Sequence, residues 1–415
     1  MSDPAAAATG PYTKESSAAA TRLGSGFLLW LTGLAGSLLG DAVLYFALGW
    51  VASSFGGGSA GAVLTAVIVP RSVLLLFGGA IADRRGARQV MMAGDAVMIL
   101  VTLTAALVSA GHHASVWLLI AIALCVGTVD AFYLPASSSM PRRLVADQAV
   151  PRALAARQVV GRVVALCGAP IGGFVVGLSG LDGALLLDAV TFTLMLVVLF
   201  FVRVPGRIEQ TPEKGIFQEM GRGVRLVAQE PLLRATMALI AVSAGLLLPV
   251  TALMVPLLAR QAHWDARTAG LVIGAFSASS VLVAVVALSR GTARRTGLCS
   301  ALGLLIAGLG VGLLALTGSL VVCVAGSTVA GLGTGLFSTH IGPLVLRSAP
   351  EAYMSRVQSI NILVQTLPLV VSNNLLGFWS DFAGARQTTL ICAVVTVAAG
   401  IHGCLSPTLR SVTFD

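Results

Sequence analysis

Residues 27–51 read FLLWLTGLAGSLLGDAVLYFALGWV, an unbroken apolar run carrying one charge, Asp41. As a helix rising 1.5 Å per residue, the run is about 37 Å long, enough to cross a hydrocarbon layer of about 30 Å. Residues 114–129 and 184–202 are of the same kind. The whole chain of 415 residues is 56% hydrophobic and 10% charged, whereas a soluble domain carries about 25% charged residues. That leaves too little polar surface to cover a water-facing globule, so the solvent for these blocks is a bilayer. Lipid offers nothing for an unpaired backbone amide to bond, and each block is therefore expected to be a helix.

Turn residues and charge clusters divide the chain into twelve blocks, at about 25–51, 59–82, 88–110, 115–140, 154–177, 182–202, 233–258, 267–289, 297–317, 320–346, 355–379 and 386–405. Basic loops orient them. Of 26 Lys and Arg, only Arg260, Arg267 and Arg386 fall in loops on one side, Arg71 and Arg162 lie inside blocks, and the rest share the other side. Both termini are thus expected in the cytoplasm, as an even number of crossings requires. The expected organisation is a disordered cytoplasmic tail (1–24), a six-helix bundle (25–202), a linker (203–232), a second six-helix bundle (233–405) and a short tail (406–415). No apolar core with a cleavage site marks the first tail as a signal peptide. In the linker, Ile216, Met220, Val224 and Val227 alternate with Glu219, Arg222 and Arg225. That pattern fits an interfacial amphipathic helix or a solvated linker.

Charges inside the blocks need a reason. A carboxylate at the bilayer centre costs about 2.5–3.5 kcal/mol on insertion scales, and each Leu returns about 0.3–0.6 kcal/mol. Gly33, Ser37, Asp41 and Tyr45 recur at every fourth position and form one stripe of the first helix. Arg71 follows Pro70 in the second block at a comparable depth, within reach of Asp41. Asp130 and Tyr133 lie in the fourth block, and Arg162 in the fifth is the partner offered to Asp130. Asp95 and Asp188 read as helix-packing or interfacial carboxylates, and His340 as a satisfied core histidine. In the eleventh block Gln358, Asn361, Gln365 and Ser372 share a stripe that suits either substrate contact or interhelical hydrogen bonds. Low dielectric favours the neutral form of a carboxyl group and a neighbouring arginine favours the charged form. A conformational change that makes or breaks such a pair couples proton binding to conformation. On this reading Asp41, Arg71, Asp130 and Arg162 carry proton coupling, while Tyr45, Tyr133, Asn361 and Gln365 line a substrate cavity.

The segment Gly79-Ala80-Ile81-Ala82-Asp83-Arg84-Arg85-Gly86-Ala87-Arg88 resembles the G-x-x-x-D-R-x-G-R-R/K loop of the major facilitator superfamily, with Ala87 at one basic position. Gly79 suits close helix approach and Gly86 a tight turn. Asp83 can pair with a local arginine or meet a helix N-terminus. With Arg84 and Arg88, these residues form a candidate cytoplasmic gate. Gly168-Ala169-Pro170-Ile171-Gly172-Gly173 is similar to the antiporter motif G-P-x-x-G-G, with Ala169 in place of a glycine. Gly40-Asp41, Phe132-Tyr133-Leu134-Pro135-Ala136, and Ala349-Pro350-Glu351 with Arg356 resemble drug:proton antiporters of the macrolide- and siderophore-exporter type.

The resemblance implies twelve transmembrane helices in two pseudo-symmetric bundles, proton-coupled export of an amphipathic small molecule by alternating access, and action as a monomer. Import of a nutrient or lipid-like solute is the second reading, and a membrane-embedded enzyme or receptor the remote one. No Gly-x-x-x-x-Gly-Lys-Ser/Thr loop is present for nucleotide drive. The adjacent His112-His113 lacks metal-ligand spacing, and Cys125, Cys167, Cys299, Cys323, Cys392 and Cys404 form no CxxC pair. No metal, cofactor, catalytic residue or nucleic-acid partner is therefore expected. The net charge of +9 belongs to the loops, and only Lys14 and Lys214 accompany the arginines. That usage suits a GC-rich bacterial gene and an inner-membrane location.

Overall fold

The computed structural model describes residues 23–111, 114–203, 227–291, 293–316, 318–348 and 354–411. Eleven helices in it are long and apolar enough to cross a membrane. In chain order they are α1 (Ser25–Ala52), α2 (Gly57–Arg85), α3 (Ala87–Gly111), α4 (Val116–Leu144), α5 (Val150–Phe201), α6 (Pro231–Gln261), α7 (Ala266–Arg290), α8 (Thr296–Leu316), α9 (Leu320–Ser348), α10 (Met354–Ala383) and α11 (Ala385–Leu405). The twelve blocks expected from sequence all fall on these helices. The count differs because two of them, 154–177 and 182–202, lie on α5. With 52 residues, α5 would be about 78 Å long if straight, more than twice a hydrocarbon layer. Gly180 breaks it, with φ 64° and ψ −153°. The interfacial-helix reading of the linker lies almost wholly outside the described residues, as does nearly all of the 1–24 tail.

Helix ends are set locally. Ser115 Oγ accepts from the Leu118 amide at 3.2 Å, and Asp265 Oδ1 accepts from the Thr268 amide at 2.9 Å, two N-caps of the usual chemistry. Gly86 (φ 92°) and Gly384 (φ 85°) turn the chain between α2 and α3 and between α10 and α11, where a side chain would be strained. Within α6, π-helical turns at Ser243–Leu247 and Val250–Met254 flank Leu248 and Pro249. Such turns rotate the face that the helix presents.

Helices α1–α5 pack mainly on one another, α1 against α5, α2 against α4 and α3 against both α4 and α5. Helices α8, α9 and α11 form the centre of the later set, with α7 against α9. The sets meet along two long seams, α2 with α10 and α5 with α7. At one end these seams are tight. A methyl group added at Gly61 would overlap the Asn373 carbonyl, and one at Gly57 would meet the Gly377 carbonyl. Gly173 likewise sits against Ala266 and Gly270. Toward the other end, where Arg85, Arg88, Arg143 and Arg290 cluster at helix termini, the seam helices become exposed. No residue of 154–167 on α5, 280–290 on α7 or 361–372 on α10 is buried. The two sets splay toward this basic end and close at the opposite one.

Candidate functional site

Between the sets lies a cavity of ≈ 520 Å³. Its wall is mostly apolar, with Phe46 of α1, Leu64 and Val67 of α2, Val164 of α5, Ile273 of α7 and Leu369 of α10. Tyr45, Arg71, Thr251, Ser277 and Asn373 supply the polar groups. Thr251 and its neighbour Ala252 come from the second π-helical turn of α6, so the irregular backbone helps shape the wall.

Arg71 Nη1 stands 3.8 Å from Asp130 Oδ2, and the Tyr45 hydroxyl donates to the same oxygen at 2.5 Å. The reason is a close crossing of α2 and α4. A methyl group at Gly127 would overlap the Val67 carbonyl, and one at Gly78 the Ala131 carbonyl. Gly127 lies one turn before Asp130 and Val67 one turn before Arg71, so this contact fixes both side chains at one level. Arg71 is 46% exposed and Asp130 only 16%. The guanidinium therefore faces the cavity and the carboxylate sits behind it.

These partners differ from those the sequence offered. Arg71 pairs with Asp130 in place of Asp41, and Arg162 is exposed on α5 without an ion pair among the described residues. Asp41 is half-buried, within electrostatic reach of Asp188, Asp130, Asp95 and Arg71. Asp95 and Asp188 are both fully buried, and Gly40 on α1 abuts Asp188 and Thr191. The two carboxylates, expected as packing or interfacial groups, thus converge on the level of Asp41. Among the described residues neither they nor the Tyr133 and Ser37 hydroxyls make a hydrogen bond of good geometry, although Tyr133 faces Asp95 and Ser37.

Of the expected cavity residues, Tyr45 lines the wall. Tyr133 is buried in the first set, edge-on to Phe192 at 6.4 Å. Asn361 and Gln365 lie nearer the basic end of α10, with Gln365 Nε2 donating to the Asn361 carbonyl at 3.3 Å. The wall takes Asn373 from that helix instead. Its Oδ1 is buried without a hydrogen-bond partner among the described residues. The α5 glycines divide their work: Gly168 and Gly172 rest on Ala42 and Phe46 of α1, while Gly173 and Pro170 meet α7 across the seam.

The loop motif after α2 is described in part. Gly86 makes the turn, as expected from its sequence. Gly79 faces open space, and the close approach expected of it belongs to Gly78. Arg88 donates from Nε to the Leu199 carbonyl at 2.7 Å and from Nη2 to the Phe200 carbonyl at 3.1 Å, capping the C-terminal end of α5. Arg84 is exposed, and the side chain of Asp83 lies outside the described residues. His340 is buried, with Nε2 accepting from the Ala293 amide at 3.1 Å and Nδ1 facing the Leu336 carbonyl at 2.9 Å. It ties the loop after α7 to α9, the satisfied histidine expected.

The model of the Major Facilitator Superfamily matches residues 30–373. The chain belongs to the Major Facilitator Superfamily. No curated protein sequence matches it. Among solved structures, a bacterial homologue of the human lysosomal transporter Spinster, inward-facing and unoccupied, is similar at TM-score 0.73 and 12% identity, covering 98% of this chain and 100% of that one. The D-xylose-proton symporter is similar at TM-score 0.73 and 13% identity, covering 94% and 99%. The nucleoside transporter NupG is similar at TM-score 0.72 and 14% identity, covering 92% and 98%. At these identities the likeness is one of fold. The protein is a multi-pass membrane transporter of this superfamily, and not an enzyme.

Proposed function

We propose that this superfamily member is a secondary active transporter that exports an amphipathic small molecule in exchange for protons by alternating access. Its architecture is twelve crossings in two six-helix bundles, with α5 crossing twice around Gly180. The basic end faces the cytoplasm of a bacterial inner membrane, with both termini on that side, and the protein acts as a monomer. The positive-inside asymmetry supports this orientation. The splayed basic end then makes this the conformation open to the cytoplasm.

One observation carries the exchange reading: Arg71, on the cavity wall, is ion-paired to Asp130, which also accepts from Tyr45. While the pair holds, the wall beside Phe46 and Leu64 is electrically neutral and suits a largely apolar guest. A proton on Asp130 removes the partner and leaves a bare guanidinium in that wall. An uncompensated charge must draw water, which disfavours the apolar guest. Proton and neutral substrate then oppose one another's binding, and by linkage each weakens the other by the same factor. Mutual exclusion at a site with alternating exposure is the requirement for antiport. Asp95 of α3 and Asp188 of α5, both fully buried, and the half-buried Asp41 of α1 add further carboxylates within electrostatic reach of one another.

The test is transport by the purified protein in proteoliposomes containing a pH-sensitive dye, screened with a panel of neutral amphipathic compounds under an imposed pH gradient. Compound-dependent proton flux is expected from the native protein and not from Asp130→Asn with equal incorporation. Equal flux from both removes Asp130 from the coupling.

A further inference from the structure

The end opposite the arginines is held by a polar contact between the halves. Asp381, at the C-terminal end of α10, accepts from the Gly57 amide through Oδ1 at 2.6 Å and from the Gly58 amide through Oδ2 at 2.8 Å. Those amides are the first of α2, in the other half of the molecule, and they have no intrahelical partner of their own. A carboxylate there satisfies two orphan donors and meets the positive end of the helix dipole. The approach depends on bare backbone, since a methyl group at Gly57 would strike both Ser380 Oγ and the Gly377 carbonyl.

The surrounding sequence carries a signal. Gly377-Phe378-Trp379-Ser380-Asp381-Phe382-Ala383-Gly384-Ala385-Arg386 has the spacing G-x-x-x-D-x-x-G-A-R, the same as Gly79 through Arg88. The structural parts match as well. Gly384 turns the chain with φ 85° as Gly86 does with φ 92°. Arg386 caps the C-terminal end of α8 through the Ala315 and Leu316 carbonyls at 2.6 and 2.7 Å, as Arg88 caps that of α5. The two copies sit at opposite ends of the molecule.

We propose that Asp381 is a positioning residue for the transport cycle, a latch that closes the end opposite the arginines by capping α2 and that must release before that end can open. Its contact exists in one conformation only, so it biases the balance between the two openings. This depends on alternating access and on neither the substrate nor the proton.

The experiment is hydrogen exchange read by mass spectrometry on the native chain, Asp381→Asn and Asp381→Ala, each in lipid nanodiscs. Losing a charge-assisted cap is expected to shift the balance about tenfold. The start of α2 should then exchange faster in both variants while α5 around Val163, at the basic end, becomes more protected. Only a change of opening produces opposite changes at the two ends. Unchanged exchange, or faster exchange at both ends as a merely loosened fold would give, overturns the proposal.

Discussion

The Tyr45–Asp130–Arg71 group separates roles that adjacent side chains could otherwise share. Tyr45 gives Asp130 a donor from α1, so Tyr45→Phe removes one charge-assisted hydrogen bond and leaves the ring in the wall. Such a bond is worth about 1.5–3 kcal/mol, and proton-driven flux is expected to fall about tenfold or more with incorporation unchanged; proteoliposome flux measures it. Asp188 is the contrasting case, fully buried with neither oxygen hydrogen-bonded among the described residues. Burying a charge costs more than burying an amide. Asp188→Asn should therefore match or exceed the native thermal stability, by up to about 1–3 kcal/mol, while reducing proton-driven flux. A loss of stability would make Asp188 a structural anchor. Asp41, Arg71 and Asp130 can be picked out of the sequence because ionisable groups in lipid stand out. Their pairing cannot be read there, because it depends on the rotation of α2 against α4. That rotation is set by Gly127 on the Val67 carbonyl, a contact between residues far apart in the chain.

Among the helices, boundaries are largely legible in the sequence and seams are not. Apolar length places every long helix, because lipid forces each block to satisfy its own backbone. Gly180 hides its role, since a glycine inside an apolar run does not announce a positive φ. The Gly79 motif draws attention at one loop, yet the same spacing at Gly377–Arg386 is easily missed because Asp381 has no basic residue beside it. Two substitutions test elements. Gly61→Leu drives a side chain into the Asn373 carbonyl between α2 and α10, an overpacking that costs about 1–3 kcal/mol. It should weaken the closed end specifically, seen as faster hydrogen exchange in the first turns of α2. Asp265 caps α7, and its carboxyl is held below the usual range, chiefly by the Thr268 hydroxyl and then by the Thr268 amide. A depressed group contributes its stability above the ordinary carboxylate range and loses it as pH falls through the lowered value. Asp265→Ala is therefore expected to cost about 1 kcal/mol at neutral pH, with the gap to the native protein narrowing in acid; thermal unfolding at both conditions measures it.

At the scale of the molecule, the two seams are closed at one end only: glycines and the Asp381 cap bring the halves together there, and the same helices diverge toward the arginines. Going along α2 and α10, Gly57 meets Gly377 and Gly61 meets Asn373, the register of two antiparallel helices. Continued about three turns further, that register sets Ser72 opposite Ile362, which is 51% exposed in the present opening. If the halves rock as rigid bodies, closing the basic end brings these two positions to the separation a disulfide needs, a Cα distance below about 7 Å. Ser72→Cys with Ile362→Cys should therefore cross-link under mild oxidation only as the protein cycles. Once joined, the halves can no longer open to the basic side, so proton-driven flux should stop and return on reduction. A bond that forms while flux continues would mean that the halves move by some path other than rocking about the glycine seams.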